Sequence, residues 1–254
     1  MFAEGGILYF AAGVTADPTT WTSTLLSGLK YTLILTFLGM GVALVLALVL
    51  VLPQVMRRRN WVLVFLVRAI VELVRGTPLI LQLFYIFYVF PEIGLQLSPV
   101  TAGVIGLGLN YAAYLSEIYR AGIQAVPKGQ WEASDALGMS WGLGMRRIIL
   151  PQAVRISLPS IGNYFVSLFK DSALCSTISV TELLFAGQLI ASDTFQYLTV
   201  YTIILITYFV ISYPASLGVR ALERHLRLDR PRKVRGAKGG GIWPNGPSLN
   251  LPSP

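Results

Sequence analysis

Inside stretches that are otherwise apolar, the chain carries groups able to hold a polar or charged ligand: Asn110, Tyr114 and Glu117 on one run, and Asn163, Ser167, Lys170, Asp171 and Ser172 on another. An ionised side chain in hydrocarbon costs roughly 2.5–3.5 kcal/mol on insertion scales, so such groups pair with one another or face an aqueous cavity. They are candidates for a translocation path. The plainer reading of Lys170 and Asp171 is an internal ion pair holding a helix kink. Asn110, Tyr114 and Glu117 continue the series Gly103, Gly106 at steps of three and four, which is one stripe of a helix. Small residues let helices approach closely and polar ones must face protein or water, so the stripe reads as a packing face, a lining face, or both at different depths.

A second polar concentration, EASDALGMSWGLGMRRIILP at residues 132–151, lies between apolar runs and has Lys128, Arg146 and Arg147 in or beside it. A structured loop of this length is functional more often than it is a plain connector. Pro127 can open a short helix, Gly138 can close it in a left-handed cap, and Ser140 can cap a second that must end by Pro151. Two short helices at a membrane surface would result. The competing reading is an amphipathic connector whose Arg146 and Arg147 touch lipid phosphates.

At this loop the chain resembles a known family. Glu132, Ala133, Ser134, Gly138, Ile148, Leu150 and Pro151 fall at the spacing of the "EAA" loop of permease subunits of ATP-binding-cassette importers, with Ser134 in place of the usual second alanine. The stretches VELVRGTPLILQLF and FKDSAL are similar to the polar amino-acid subfamily, the permeases of the histidine, glutamine, glutamate and arginine type. The resemblance implies an all-α membrane protein with five transmembrane helices, the type I importer fold and a cytoplasmic coupling helix. It also implies that Glu132, Ala133, Ser134, Gly138, Met139, Ser140, Arg146, Arg147, Ile148, Leu150 and Pro151 engage a separate ATPase subunit. The further partners it implies are an extracytoplasmic substrate-binding protein and a second permease subunit, either a copy or a relative. ATP would be bound by the ATPase, with no cofactor in this chain, and the setting would be a bacterial inner membrane.

Composition points the same way. The 254 residues are 54% hydrophobic and 13% charged, with mean hydropathy +0.65, whereas soluble chains carry roughly twice that charged fraction. The net charge of +8 suggests topology rather than nucleic acid, because its cations cluster at Arg57, Arg58 and Arg59, around the 132–151 loop, and in the tail from Arg220. The stretches 1–23, 91–98 and 172–219 contain none. This asymmetry predicts an external amino terminus, with the loop and the carboxyl terminus in the cytoplasm. One cysteine, Cys175, and one histidine, His225, preclude a disulfide framework and disfavour a metal site; Cys175 reads as a packing residue and His225 as an exposed helix residue. No phosphate-binding loop, HExxH or GxSxG occurs, so neither ATP hydrolysis nor another enzymatic activity is expected.

In chain order, 1–23 reads as an external segment and 24–228 as the transmembrane domain, with the coupling loop at 122–153. Residues 229–254, rich in glycine, proline and positive charge, read as a disordered cytoplasmic tail drawn to anionic headgroups. The first span is expected over about 25–52, ended by Pro53 and the arginines. The second starts at Trp61, and its Arg68, Glu72 and Arg75 can compensate one another on one helix face. Ser98 and Pro99 open the third, which runs to about Tyr119. The fourth starts near Val154 and meets Lys170 and Asp171. A short helix with Thr181 and Glu182 follows, and a last span over about 194–219 contains Pro214. An ion-coupled secondary transporter or channel, with Glu117, Lys170 and Asp171 as relays, is the rival class; five spans without inverted repeats and a loop matching an ATPase-docking motif disfavour it.

Overall fold

The computed structural model describes residues 18–56 and 60–226. The expectations for residues 1–17, for Arg57, Arg58 and Arg59, and for the tail from residue 227 lie outside the described residues. Every regular element among the described residues is helical.

Helix α1, Pro18–Val55, is 38 residues long. It therefore begins within the stretch expected to lie outside and carries Trp21 into the packing around Leu183 and Ile190. It also runs two residues past Pro53. Two of its buried hydroxyls are satisfied locally: Thr36 donates to the Thr32 carbonyl at 2.7 Å and Thr32 to the Gly28 carbonyl at 3.2 Å.

Helix α2, Trp61–Gly76, is capped by Asn60, whose Oδ1 accepts from the amides of Val62 and Leu63. The second span is then broken rather than continuous. Pro78 has no N–H and forces the residue before it out of the helical region, so Thr77 (φ −112°, ψ 143°) and Pro78 (φ −62°, ψ 136°) are extended. The chain resumes as α3, Leu79–Phe84, loosens into a wide turn over Tyr85–Val89, tightens over Phe90–Ile93 and ends at Gly94.

Helix α4, Pro99–Gln124, starts as expected, with Ser98 Oγ accepting from the Thr101 amide, and extends past Tyr119. Its glycines are contact points. A Cβ at Gly103 would lie 2.9 Å from Leu35 and 3.0 Å from the Cys175 sulfur; one at Gly106 would lie 2.6 Å from Leu83. The part of the stripe at Gly103 and Gly106 is thus a packing face, and the fully buried Cys175 is part of it. The short α5, Lys128–Ala136, and α6, Trp141–Gly144, follow. A wide turn over Met145–Ile149 leads into α7, Leu150–Asp171. After a tight turn over Ser172–Ile178 and Ser179 at φ 63°, α8, Leu183–Thr194, sets off. It is bent by 52° from the preceding helix. Helix α9, Tyr197–Leu226, passes through Pro214 as one element and leaves His225 exposed in its last turn.

The main core lies where α1, α3, α4 and α7 meet, around Leu35, Leu83, Leu107, Leu115 and Leu168, all fully buried. Opposite faces of α1 and α9 expose Phe37, Val45, Leu205 and Phe209, an apolar exterior suited to lipid. Helices Trp21–Val55 and Tyr197–Leu226 are each long and apolar enough to cross a membrane, and the bent pair Trp141–Ile178 with Leu183–Thr194 qualifies together.

Candidate functional site

The break between α2 and α3 opens a cavity of about 470 Å³. Its walls are the broken backbone at residues 75–79, Asn110, Tyr111 and Tyr114 of α4, and Tyr164, Ser167 and Asp171 of α7. Tyr111 donates its hydroxyl proton to Asp171 Oδ2 at 2.6 Å. The Arg75 guanidinium stands 5.4 Å from the centre of the Tyr114 ring while its Nη1 donates to Glu72 Oε1 at 3.3 Å. The guanidinium is thus held between the aromatic face and its ion-pair partner Glu72. Tyr164 meets Tyr111 edge-on at 6.0 Å and Tyr114 at 5.7 Å. The result is an aromatic-walled cavity with a guanidinium, a carboxylate and the Asn110 amide, able to hold a small molecule that bears both charges.

Of the residues singled out for a path, Asn110, Tyr114, Ser167 and Asp171 meet in this cavity. The others do not. Glu117 lies a turn further along α4, ion-paired with Arg120, which also donates to Gln124 at 2.9 Å. Asn163 and Lys170 are exposed and outside the cavity lining. Lys170 forms no ion pair with Asp171, because the α7 helix sends successive side chains in different directions and Asp171 turns to Tyr111. Ser172 is buried and donates to the Phe169 carbonyl at 2.8 Å, closing the end of α7. Arg68 takes no part in the Arg75–Glu72 pair.

Arg75, Tyr111 and Tyr164 are cavity residues that pattern reasoning passed over. Spacing assigns Arg75 to a helix-face ion cluster, although the Gly-Thr-Pro immediately after it signals a helix break, and broken backbone at membrane depth lines cavities. Nothing in local spacing marks the two tyrosines, since the Tyr111–Asp171 bond joins residues 60 apart.

The second candidate surface is built on α5. Pro127 precedes it, and its end is closed by two bonds: the Gly138 amide to the Asp135 carbonyl at 2.9 Å and the Met139 amide to the Ser134 carbonyl at 3.1 Å. That is the six-to-one and five-to-two pairing of a Schellman cap, which needs a left-handed residue; Gly138, at φ 68°, supplies it. Ser134 is buried, and its hydroxyl fills the space over Gly144, where a Cβ would collide with it. Trp131 and Trp141 pack on Ile123, Val126, Met145 and Ile149, so α5 is braced against the ends of α4 and α7. Glu132, Ala133, Asp135 and Leu137 remain exposed, as do Ser140, Arg146, Arg147, Leu150 and Pro151; Met139 and Ile148 are half-buried. The second helix of the loop does not end at Pro151. The wide turn over Met145–Ile149 absorbs the irregularity, Pro151 occupies the first turn of α7, and the foot of that helix replaces a second surface helix.

An all-helical fold with an apolar exterior, a polar cavity at a helix break and a rigidly capped exposed helix is that of a membrane transport subunit. Residues 39–228 match the family described as binding-protein-dependent transport system inner membrane component, and the chain belongs to that family, whose members are permease subunits and not enzymes. It is 44% identical to the L-cystine transport system permease protein TcyB of Bacillus subtilis over 80% of this chain and 86% of the relative. It is 32% identical to the glutamine transport system permease protein GlnP of Escherichia coli over 80% and 93%. Among solved structures, an amino acid ABC transporter crystallised with histidines is 36% identical with TM-score 0.77, covering 83% of this chain and 99% of that one. The MetNI methionine ABC transporter, at 22% identity and TM-score 0.63 over 82% and 99%, shares the fold. The fold is that of the type I ABC importer permeases.

Proposed function

We propose that this chain passes a polar amino acid into the cytoplasm through the cavity at the α2–α3 break, driven by a separate ATPase and fed by an external binding protein. The observation that carries the substrate class is the pair of opposite charges, Arg75 and Asp171, on different helices of one cavity of about 470 Å³. An α-amino acid offers one carboxylate and one ammonium, and a charge-assisted hydrogen bond suits each. The relatives named for cystine and glutamine and the structure with histidines support the same class.

Five spans account for the helices: α1, α2 with α3, α4, α7 and α9, with α8 as a bent outer segment. At 26 residues α4 is about 39 Å long, enough to cross. Lys128, Arg146 and Arg147 support a cytoplasmic position for α5 and the foot of α7, with the amino terminus outside and the carboxyl terminus inside. The exposed face of α5, with Glu132, Ala133, Asp135 and Leu137, would take the ATPase, and a second permease subunit would complete the path. Bracing of α5 against α4 and α7 lets a movement of the ATPase tilt the helices that line the cavity.

The test is ATP-dependent uptake by the reconstituted complex carrying Arg75→Ala or Asp171→Asn. Loss of a charge-assisted bond in a desolvated site is expected to lower uptake at subsaturating substrate by about 10-fold or more. Native uptake by both variants would refute the assignment of the cavity.

A further inference from the structure

Gln82 lies on α3 outside the cavity lining, yet it joins two of the cavity walls. Its Nε2 donates to the Val74 carbonyl at 2.7 Å and to the Thr77 carbonyl at 3.2 Å, and it also contacts Thr77 Oγ1 at 2.9 Å. The Val74 carbonyl is the one that residue 78 would serve in an unbroken helix, and residue 78 is a proline without an N–H. Gln82 therefore supplies, from its side chain, the donor that Pro78 lacks.

That bond fixes a direction. Backbone carbonyls only accept, so the Gln82 NH₂ must face the break and its Oε1 must face away. Oε1 accepts from Asn110 Nδ2 at 3.1 Å. Asn110, only 6% exposed, is thus oriented in turn, and the atom it has left to offer the cavity as an acceptor is Oδ1. Among its charged and amide groups the cavity then offers Asn110 Oδ1 and the Asp171 carboxylate as acceptors and Arg75 as the cation.

Building on the assignment of the cavity as the amino-acid site, we propose that Gln82 is a positioning residue that caps the broken helix and thereby sets Asn110 as an acceptor for the α-ammonium group of the substrate. The substrate carboxylate goes to Arg75. Reversal of either amide would place two donors or two acceptors face to face, so the polarity of the site is inherited from Pro78.

The experiment is equilibrium binding of radiolabelled L-glutamine, L-histidine and L-cystine to the permease purified with its ATPase, without binding protein. The α-hydroxy analogue of the best ligand serves as competitor. Gln82→Leu is expected to weaken binding by about tenfold and to shrink the preference for the amino acid over the hydroxy analogue by a similar factor. Gln82→Met, close in size, is expected to do the same by removing both the donor to the Val74 and Thr77 carbonyls and the acceptor for Asn110, and it decides the matter where the leucine variant fails to assemble. Asn110→Leu should show the same loss, with the Gln82→Leu, Asn110→Leu double variant no worse than either single. Unchanged affinity and preference in Gln82→Met, or fully additive losses, would overturn the proposal. Asp171→Asn and Arg75→Lys report on the cavity separately. If they weaken binding while the Gln82 variants do not, the role of Gln82 alone falls; if all four bind as the native protein does, the cavity assignment falls with it.

Discussion

Gly138 offers a clean perturbation because only its backbone is at stake. It is held at φ 68°, and a Cβ placed there would meet nothing within 4 Å. Steric crowding in the neighbourhood can be set aside, leaving the cost of a left-handed conformation, about 1–2 kcal/mol for a residue with a Cβ. The two bonds of the cap, from the amides of Gly138 and Met139, depend on that conformation. A nine-residue helix has little stability of its own, so the cost falls on the ratio of capped to frayed α5, by about 5- to 30-fold. The series Gly138→Asn, Gly138→Ala, Gly138→Val should lower ATP-dependent transport in that order. Asparagine should come closest to native because it tolerates left-handed geometry, and valine should be worst. The assay is substrate-stimulated ATP hydrolysis and uptake by reconstituted complexes, normalised to inserted permease. Native coupling in the valine variant, or an asparagine variant as poor as valine, would refute the backbone argument.

Three further outcomes follow from contacts elsewhere. Gly144→Ala should push α5 off the foot of α7 by colliding with the Ser134 hydroxyl, an overpacking cost of about 1–3 kcal/mol, and should reduce co-purification of the ATPase. Adding Ser134→Ala should restore it, since the Ser134 Cβ itself lies 3.4 Å from the new atom. Glu182 is fully buried, accepts from the amides of Leu184 and Phe185 at the start of α8 and from the Tyr208 hydroxyl of α9, and so ties two helices together. Glu182→Ala should cost about 3 kcal/mol or more by stranding these donors, read as a lower unfolding temperature in detergent, with Glu182→Gln intermediate. A Cβ at Gly187 would strike Ile204, so Gly187→Ala should destabilise the α8–α9 contact, with Ile204→Val recovering part of the loss in the same measurement.

How far the sequence disclosed this structure depends on the range of the interaction involved. Ser98 before Pro99 and Gly138 after α5 are local signals, resolved within one turn, and both stand where spacing placed them. The stripe Gly103, Gly106, Asn110, Tyr114 was legible as one face, and it divides into packing and cavity-lining parts along its length. Proline was harder to interpret. Pro78 breaks a helix because both it and Thr77 adopt extended geometry, Pro151 begins one, and Pro53 and Pro214 sit inside helices; the residue type alone does not separate these cases. The charged pair Lys170 and Asp171 misled because adjacency in sequence is not adjacency in space on a helix. The bonds that build the cavity, Tyr111 to Asp171 and Gln82 to Asn110, span 60 and 28 residues and leave no mark on any periodicity.

The most direct measurement is uptake of radiolabelled L-cystine, L-glutamine and L-histidine into proteoliposomes that contain the permease and its ATPase, with the binding protein outside. The expected result is accumulation of at least one of them that requires ATP and the binding protein and persists when ionophores collapse proton and sodium gradients. Accumulation driven by an imposed ion gradient without ATP would contradict an ATP-driven importer and return Glu117, Lys170 and Asp171 to the role of ion relays.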